Sequence, residues 1–148
     1  MLTVLFDHQS VIGHVRDINE DAFAVMHGSE NSGALAVVCD GMGGAAGGEI
    51  ASRIVCETFY DFPVYRDGIK PFNAGSNRRR LERLIQVANL KVQDFVHHHP
   101  RYEGMGTTVS SLLFLEDKIV VAHVGDSRVY RLRDGRLTLL TRDQTLSR

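Results

Sequence analysis

The chain has 148 residues, 43% of them hydrophobic, which suits one globular domain. Its 17 Lys and Arg residues balance 18 Asp and Glu residues, so no field of one sign recruits nucleic acid or anionic lipid. No apolar run approaches the ~20 residues of a membrane span, and no signal-peptide core forms before Asp7. We expect one domain over residues 1–148 in the cytoplasm, bound to neither membrane nor nucleic acid.

The first half of the chain predicts strands followed by a helix. Residues 4–26 alternate loosely between apolar and polar positions, which predicts two strands joined by a turn at 16–21. Residues 34–39 predict a buried strand that ends before Asp40 and a glycine-rich loop. Apolar residues at helical spacing from 50 to 59 predict a helix that starts near Ala46. The segments predicted to be buried contain Cys39 and Cys56, for which we expect reduced thiols.

The second half predicts a loop, a long helix and a run of antiparallel strands. Residues 61–76 contain two prolines and two glycines and predict the loop, and an amphipathic helix from Leu81 ends before Pro100. Strands are predicted at 107–115, 119–124, 128–132 and 137–141, the last two joined by an Asp134-Gly135 hairpin turn. Without βαβ alternation, this order indicates the α+β class.

Four carboxylates lie beside predicted strand ends: Glu20, Asp21, Asp40 and Asp126. If the fold brings them together, they repel each other unless cations lie between them. Oxygen ligands without His or Cys favour Mg²⁺ or Mn²⁺ over zinc. A strand-to-helix connection that needs glycines only for its geometry is the alternative reading of residues 40–44. A nucleotide phosphate loop does not fit, because the stretch ends in Gly47-Gly48-Glu49 without a lysine.

The histidines have simpler interpretations. Consecutive residues of a helix point to different sides, so His97, His98 and His99 cannot all reach one ion and are expected at a solvated helix end. His123 lies in a predicted strand and is interpreted as a hydrogen-bonded sheet residue rather than a catalytic acid.

Six motifs in one order closely resemble the bacterial branch of the PPM, or type 2C, family of metal-dependent Ser/Thr protein phosphatases. They are Ser10-Val11-Ile12-Gly13 with Arg16, Asn19-Glu20-Asp21, Asp40-Gly41-Met42-Gly43-Gly44, Gly106-Thr107-Thr108, Gly125-Asp126-Ser127-Arg128 and Leu140-Thr141-Arg142-Asp143. The resemblance implies a four-layer αββα sandwich, in which two antiparallel sheets lie between helices. It also implies a binuclear Mn²⁺ or Mg²⁺ centre with a possible third ion.

The resemblance also implies a role for each candidate residue. Asp40 would bridge two ions and the Gly41 carbonyl would bind one of them. Glu20 and Asp21 would hold metal-bound waters, and Asp126 would contribute to the third ion. Arg16 would bind the substrate phosphate, which suits a bidentate guanidinium.

Three departures from the family pattern qualify these expectations. Met42 stands where the animal and plant branch has a histidine, and Asp143-Gln144-Thr145 stands where the family usually has Asp-His-Ser. The family's later Asp-Gly and Asp-Asn segments have no counterpart before Arg148. We therefore expect a sandwich that is incomplete at its C-terminus, with two ligands missing and sheet edges that favour self-association of the chain.

Two functions follow from these expectations. The first is a phosphatase that hydrolyses phosphoserine and phosphothreonine in proteins and opposes a bacterial Ser/Thr kinase. The alternative is a non-catalytic, phosphatase-like module that binds a phosphoprotein or a kinase.

Overall fold

A computed structural model describes residues 3–27, 33–43, 47–61 and 74–145. In chain order these residues form β1 (Asp21–His27), β2 (Ala34–Met42), α1 (Gly48–Phe59), α2 (Ala74–His98), a 3₁₀ turn (Pro100–Tyr102), β3 (Gly106–Thr107), β4 (Val109–Phe114), β5 (Ile119–Val124), β6 (Tyr130–Arg133) and β7 (Arg136–Leu139). Neither α-helix is long and apolar enough to cross a membrane.

The strands form two antiparallel sheets. The larger has the order β1-β2-β4-β5, with the short β3 also paired to β2, and the smaller is the β6-β7 hairpin. The hairpin turn uses left-handed backbone at Asp134, with φ of 50°, and at Gly135, with φ of 72°. The predicted turn is therefore confirmed, because Asp and Gly tolerate these angles. The α+β class, with two antiparallel sheets and helices, is confirmed as well.

The core lies between one face of the larger sheet and the two helices. Alternate β2 residues, such as Leu35, Val37 and Cys39, point to this side and are fully buried. Helix α1 packs on β1 and β2 and also against α2, and it contributes Phe59 and Cys56 to the same core. Both cysteines are buried and free, as expected.

The N-terminal segment differs from the prediction of two strands. Over residues 3–20 the structure contains no strand, and only β1 is formed in this part of the chain. A strand needs hydrogen bonds from a neighbouring strand, and here the segment instead makes aromatic contacts. The Phe6 ring centre lies 5.1 Å from that of His27 and 5.6 Å from that of Phe114. The segment therefore contacts the fold through single side chains such as Phe6, while Leu5, Val11 and Val15 stay exposed.

Three predicted boundaries need smaller corrections. Helix α1 begins at Gly48 rather than near Ala46, which lies outside the described residues. Helix α2 begins at Ala74, so the predicted loop is wrong for its last three residues, while 62–73 lie outside the described part. The predicted strand at 107–115 is divided into β3 and β4 at Thr108. The division at Thr108 accompanies its hydrogen bonds with Asp40, which is distant in the sequence.

The histidines at the end of α2 satisfy local backbone groups. His98 Nδ1 lies 2.9 Å from the Asp94 carbonyl oxygen, and His99 Nδ1 lies 2.9 Å from that of Phe95. Both rings are exposed, as expected of a solvated helix end.

Candidate active site

Asp40 lies within β2 and not after it. The strand continues to Met42 because Gly41 pairs with Thr107 of β3, so the prediction that the strand ends before Asp40 is wrong. Asp40 lies opposite Asp21 in the β1-β2 register. The Gly41 N–H donates to the Glu20 carbonyl oxygen at 3.1 Å. The β1-β2 pairing thus places three of the predicted acidic positions at one end of the sheet.

A cavity of about 600 Å³ opens at this end of the sheet. Its lining includes five of the six predicted site residues: Arg16, Glu20, Asp40, Gly41 and Asp126. The sixth, Asp21, is not part of the lining, but its carboxylate interacts with that of Asp40. The fold therefore brings together residues that are up to 110 positions apart in the sequence, from Arg16 to Asp126.

The electrostatics of Asp40 are those of a crowded carboxylate. Partial burial raises the pKa of Asp40 above its ordinary value, and the charges of Asp21 and Asp126 raise it further. Arg16 acts in the opposite direction and lowers this pKa. A cation between the carboxylates would favour their charged forms, because an opposite charge offsets both burial and repulsion.

Arg16 lies at the rim of the cavity and forms an ion pair with Glu20. The Arg16 side chain is 70% exposed, whereas that of Glu20 is only 13% exposed. The guanidinium therefore keeps donors that an incoming anion can reach. Its placement fits the predicted contact with phosphate.

Two glycines allow β2, α1 and Glu20 to approach each other. A Cβ on Gly41 would overlap backbone atoms of Gly48 and Glu20. A Cβ on Gly48 would overlap the Glu20 carboxylate, which therefore lies against the first residue of α1. The positive end of the helix dipole favours a carboxylate at this position. The stretch Gly47-Gly48-Glu49 is the sequence signal of this close approach, because residues without a Cβ let a helix and a strand approach closely.

Asp126 is held in the cavity by a tight turn after β5. Gly125 has φ of 103°, and a Cβ there would lie 2.7 Å from the Thr108 methyl carbon. The Gln144 N–H donates to the Gly125 carbonyl oxygen at 2.8 Å. Sequence reasoning missed Thr108, which lines the cavity, although the Gly106-Thr107-Thr108 motif was its signal.

The donor set suits a hard divalent cation. In the described part of the chain no three Asp, Glu, His or Cys side chains stand close enough to surround an ion by themselves. Mg²⁺ and its analogues commonly bind through one or two carboxylates and keep several waters. The interacting carboxylates of Asp21 and Asp40, beside an open cavity, match that requirement. The individual ligand assignments remain predictions.

The sequence places the chain in a known family. The family model described as protein phosphatase 2C matches residues 13–146. The chain therefore belongs to the protein phosphatase 2C family, and the predicted resemblance is confirmed.

Bacterial Ser/Thr phosphatases are similar over most of the chain. The serine/threonine protein phosphatase PstP of Mycobacterium tuberculosis is 36% identical over 144 residues, covering 97% of this chain and 26% of PstP. The serine/threonine phosphatase stp of Listeria monocytogenes is 31% identical over 134 residues, covering 90% of this chain and 52% of the relative. The chain thus spans about half or less of the length of these relatives.

Solved structures of this family share the fold. The catalytic domain of PstP, crystallised with two manganese ions, has a TM-score of 0.77 and 36% identity over 93% of this chain and 54% of that one. Stp1 of Staphylococcus aureus has a TM-score of 0.79 and 31% identity over 91% of this chain and 52% of that one. The described sheets and helices thus correspond to part of the phosphatase fold.

Proposed function

We propose that this protein acts as a metal-dependent protein phosphatase on phosphoserine and phosphothreonine, reversing the action of a Ser/Thr kinase. One observation carries the proposal: Arg16 and the carboxylates of Glu20, Asp40 and Asp126 line one cavity. A cationic donor beside clustered acids can bind a phosphate and the cations that accompany its hydrolysis. Family membership and the manganese ions of the PstP catalytic domain support the same reading.

The cavity residues divide into metal ligands and a phosphate ligand. Mn²⁺ or Mg²⁺ would be held by the carboxylate of Asp40 and the carbonyl of Gly41, with Glu20, Asp21 and Asp126 as surrounding acceptors. When bound, such ions supply Lewis acidity and an activated water for attack on phosphorus.

The remaining chemistry falls to the chain itself. Arg16 binds the phosphate through the guanidinium N–H groups that its pairing with Glu20 leaves open, and so orients the phosphoryl group over the acids. Met42 also lines the cavity, and its thioether has no proton to transfer to the leaving oxygen. The site is therefore built for positioning and charge stabilisation.

One observation favours the alternative of a phosphoprotein-binding module without catalysis. The described residues contain no cluster of three acidic, His or Cys side chains ready to hold an ion. A module of this kind would still use Arg16 to bind a phosphorylated partner. It would bind the phosphopeptide without consuming it.

A hydrolysis assay separates the two functions. With Mn²⁺ present, turnover of p-nitrophenyl phosphate and of a phosphothreonine peptide supports the enzyme, and Asp40→Asn should abolish it. Asp117→Asn is the matched control, because Asp117 lies in an exposed turn next to Lys118, outside the cavity. Saturable binding of the peptide without turnover would support the module instead.

A further inference from the structure

Thr108 connects the strand of Asp40 with the turn that carries Asp126. The Asp40 N–H donates to Thr108 Oγ1 at 3.0 Å, and the Thr108 N–H donates to the Asp40 carbonyl oxygen at 2.9 Å. The same Thr108 hydroxyl lies 2.7 Å from Ser127 Oγ. Thr108 is only 8% exposed, so water competes little for these bonds. The side chains of Thr108 and Ser127 thus link the backbone of Asp40 to the turn that carries Asp126. Both aspartates are predicted metal ligands.

Ser127 is held on its other side by β4. Its carbonyl oxygen accepts a hydrogen bond from Ser110 Oγ at 3.1 Å, and Ser110 Oγ lies 3.1 Å from His123 Nδ1. Gly125 packs directly against the Thr108 side chain. The turn is thus attached through a hydroxyl, a carbonyl and a close glycine contact. Its position cannot change without breaking at least one of them.

The order of protons in this network follows from the single proton of each hydroxyl. Ser110 donates its proton to the Ser127 carbonyl, so it must accept a proton from His123 Nδ1. His123 Nε2 is buried and has no hydrogen-bond partner in the described part of the chain. The contact with Ser110 therefore requires a proton on Nδ1. His123 is thus a sheet residue that is hydrogen-bonded at Nδ1, as interpreted from the sequence, and has no partner for Nε2 among the described residues.

We propose that Thr108 and Ser127 are positioning residues whose paired hydroxyls set the place of Asp126 relative to Asp40. The effect of this positioning on Mn²⁺ affinity rests on the proposed function. The positioning of Asp126 by the hydroxyl pair does not depend on that function, because both hydroxyls belong to the protein and need no metal. Removing either hydroxyl breaks one of the three attachments of the turn, so that Asp126 is held less firmly relative to Asp40.

The first test measures this geometry by NMR in the full protein without metal. In the wild type, the Thr108 methyl and the Gly125 α-protons should show a strong nuclear Overhauser effect, which Ser127→Ala should weaken severalfold. Ser111→Ala is the matched control. The Ser111 hydroxyl donates to the Ala122 carbonyl oxygen at 3.1 Å, between β4 and β5 and away from the turn. An unchanged effect in Ser127→Ala would overturn the proposal.

The second test measures Mn²⁺ affinity by calorimetry. Thr108→Val keeps the shape but removes the hydroxyl, and should weaken binding about tenfold, the equivalent of one hydrogen bond of about 1.4 kcal/mol. Thr108→Ser should restore most of the affinity, and adding Ser127→Ala to Thr108→Val should cost little more. Equal affinity in Thr108→Val and Ser111→Ala would overturn the proposal. If the wild type bound no Mn²⁺, the proposed function would fail, and the metal-free NMR test would still decide the geometry.

The third test reads the proton order from the ring nitrogen shifts of His123. We expect the Nδ1–H tautomer in the wild type. A ring protonated only at Nε2 would break the connection at Ser110 and overturn the anchoring of Ser127.

Discussion

Asp21 and Asp40 are directly opposite each other on the antiparallel strands β1 and β2. Like charges in such a pair destabilise a sheet, and we expect an effect as large as the roughly 0.2–1 kcal/mol of a favourable cross-strand pair. The pKa of Asp40 is raised, by burial first and then by Asp21, as this arrangement requires. The folded chain therefore keeps a local repulsion that a bound cation would relieve.

Replacing Asp21 should separate stability from metal binding. Asp21→Asn removes one charge of the pair, so the free energy of unfolding of the metal-free protein should rise by about 0.5 kcal/mol, while Mn²⁺ affinity should fall. Urea unfolding with and without Mn²⁺ measures both effects. Asp117→Asn, in an exposed turn, should change neither. A less stable metal-free Asp21→Asn protein would contradict the repulsion.

Gly41 should not tolerate a side chain. Gly41→Ala places a methyl group against backbone atoms of Gly48 and Glu20, and overpacking of this kind costs about 1–3 kcal/mol. Gly106→Ala, on the neighbouring strand β3, is the control, since its Cβ would meet only the flexible end of Met42 at 3.2 Å. Chemical denaturation compares the two. Equal stability of both variants would show that the approach of β2 to α1 is looser than described.

Arg16 should affect phosphate binding more than folding. Arg16→Ala removes a charged hydrogen-bond donor to the substrate, so kcat/KM should fall tenfold or more, in line with the about 1.5–3 kcal/mol of such bonds. Arg53→Ala is the matched control, because Arg53 forms an exposed i,i+4 ion pair with Glu57 in α1. Thermal melting should be alike for both variants. Steady-state kinetics that did not change on Arg16→Ala would remove Arg16 from the site.

Acid should weaken the contact between Arg128 and Asp143. Two guanidinium nitrogens of Arg128 reach the Asp143 carboxylate, at 3.0 Å and 2.7 Å, and this contact lowers the pKa of Asp143. The folded chain thus loses this proton at lower pH than the unfolded chain. The stabilisation is present above the ordinary pKa of Asp and disappears as the pH falls through the lowered value.

A pair of variants tests that pH dependence. Asp143→Asn should flatten the acid side of the plot of unfolding free energy against pH. Asp117→Asn should not, although Lys118 lowers the pKa of Asp117, because these two residues are adjacent and remain close in the unfolded chain. Parallel curves for the wild type and Asp143→Asn would contradict the assignment.

Local patterns predicted some elements with their bounds. The apolar strand Ile119–Val124 has the predicted bounds, and the Asp134-Gly135 turn adopts the positive φ angles that its residues permit. The N-terminal segment failed as a strand because strand formation depends on a partner. Phe6 instead contacts Phe114, which is more than 100 residues away in the sequence, so no local pattern can predict this contact.

The residues of the candidate site were predictable from the sequence, but the contacts that position them were not. The motifs indicated which acids would gather, and five of the six predicted residues line one cavity. No sequence motif indicates which residues meet in the contacts that hold them, between Thr108 and Ser127 and between Gly48 and Glu20. They depend on how distant elements cross, and hydroxyls and glycines have many other uses in a sequence.

We propose that Asp40 is the shared ligand of a divalent metal centre, and titration of Mn²⁺ into the metal-free protein by calorimetry tests this role. The protein and its Asp117→Asn variant should bind Mn²⁺ alike, whereas Asp40→Asn, which keeps the size of the side chain and removes its charge, should show no binding heat. Circular dichroism should confirm that all three are folded. Wild-type Mn²⁺ affinity in a folded Asp40→Asn protein would contradict a ligand role for Asp40.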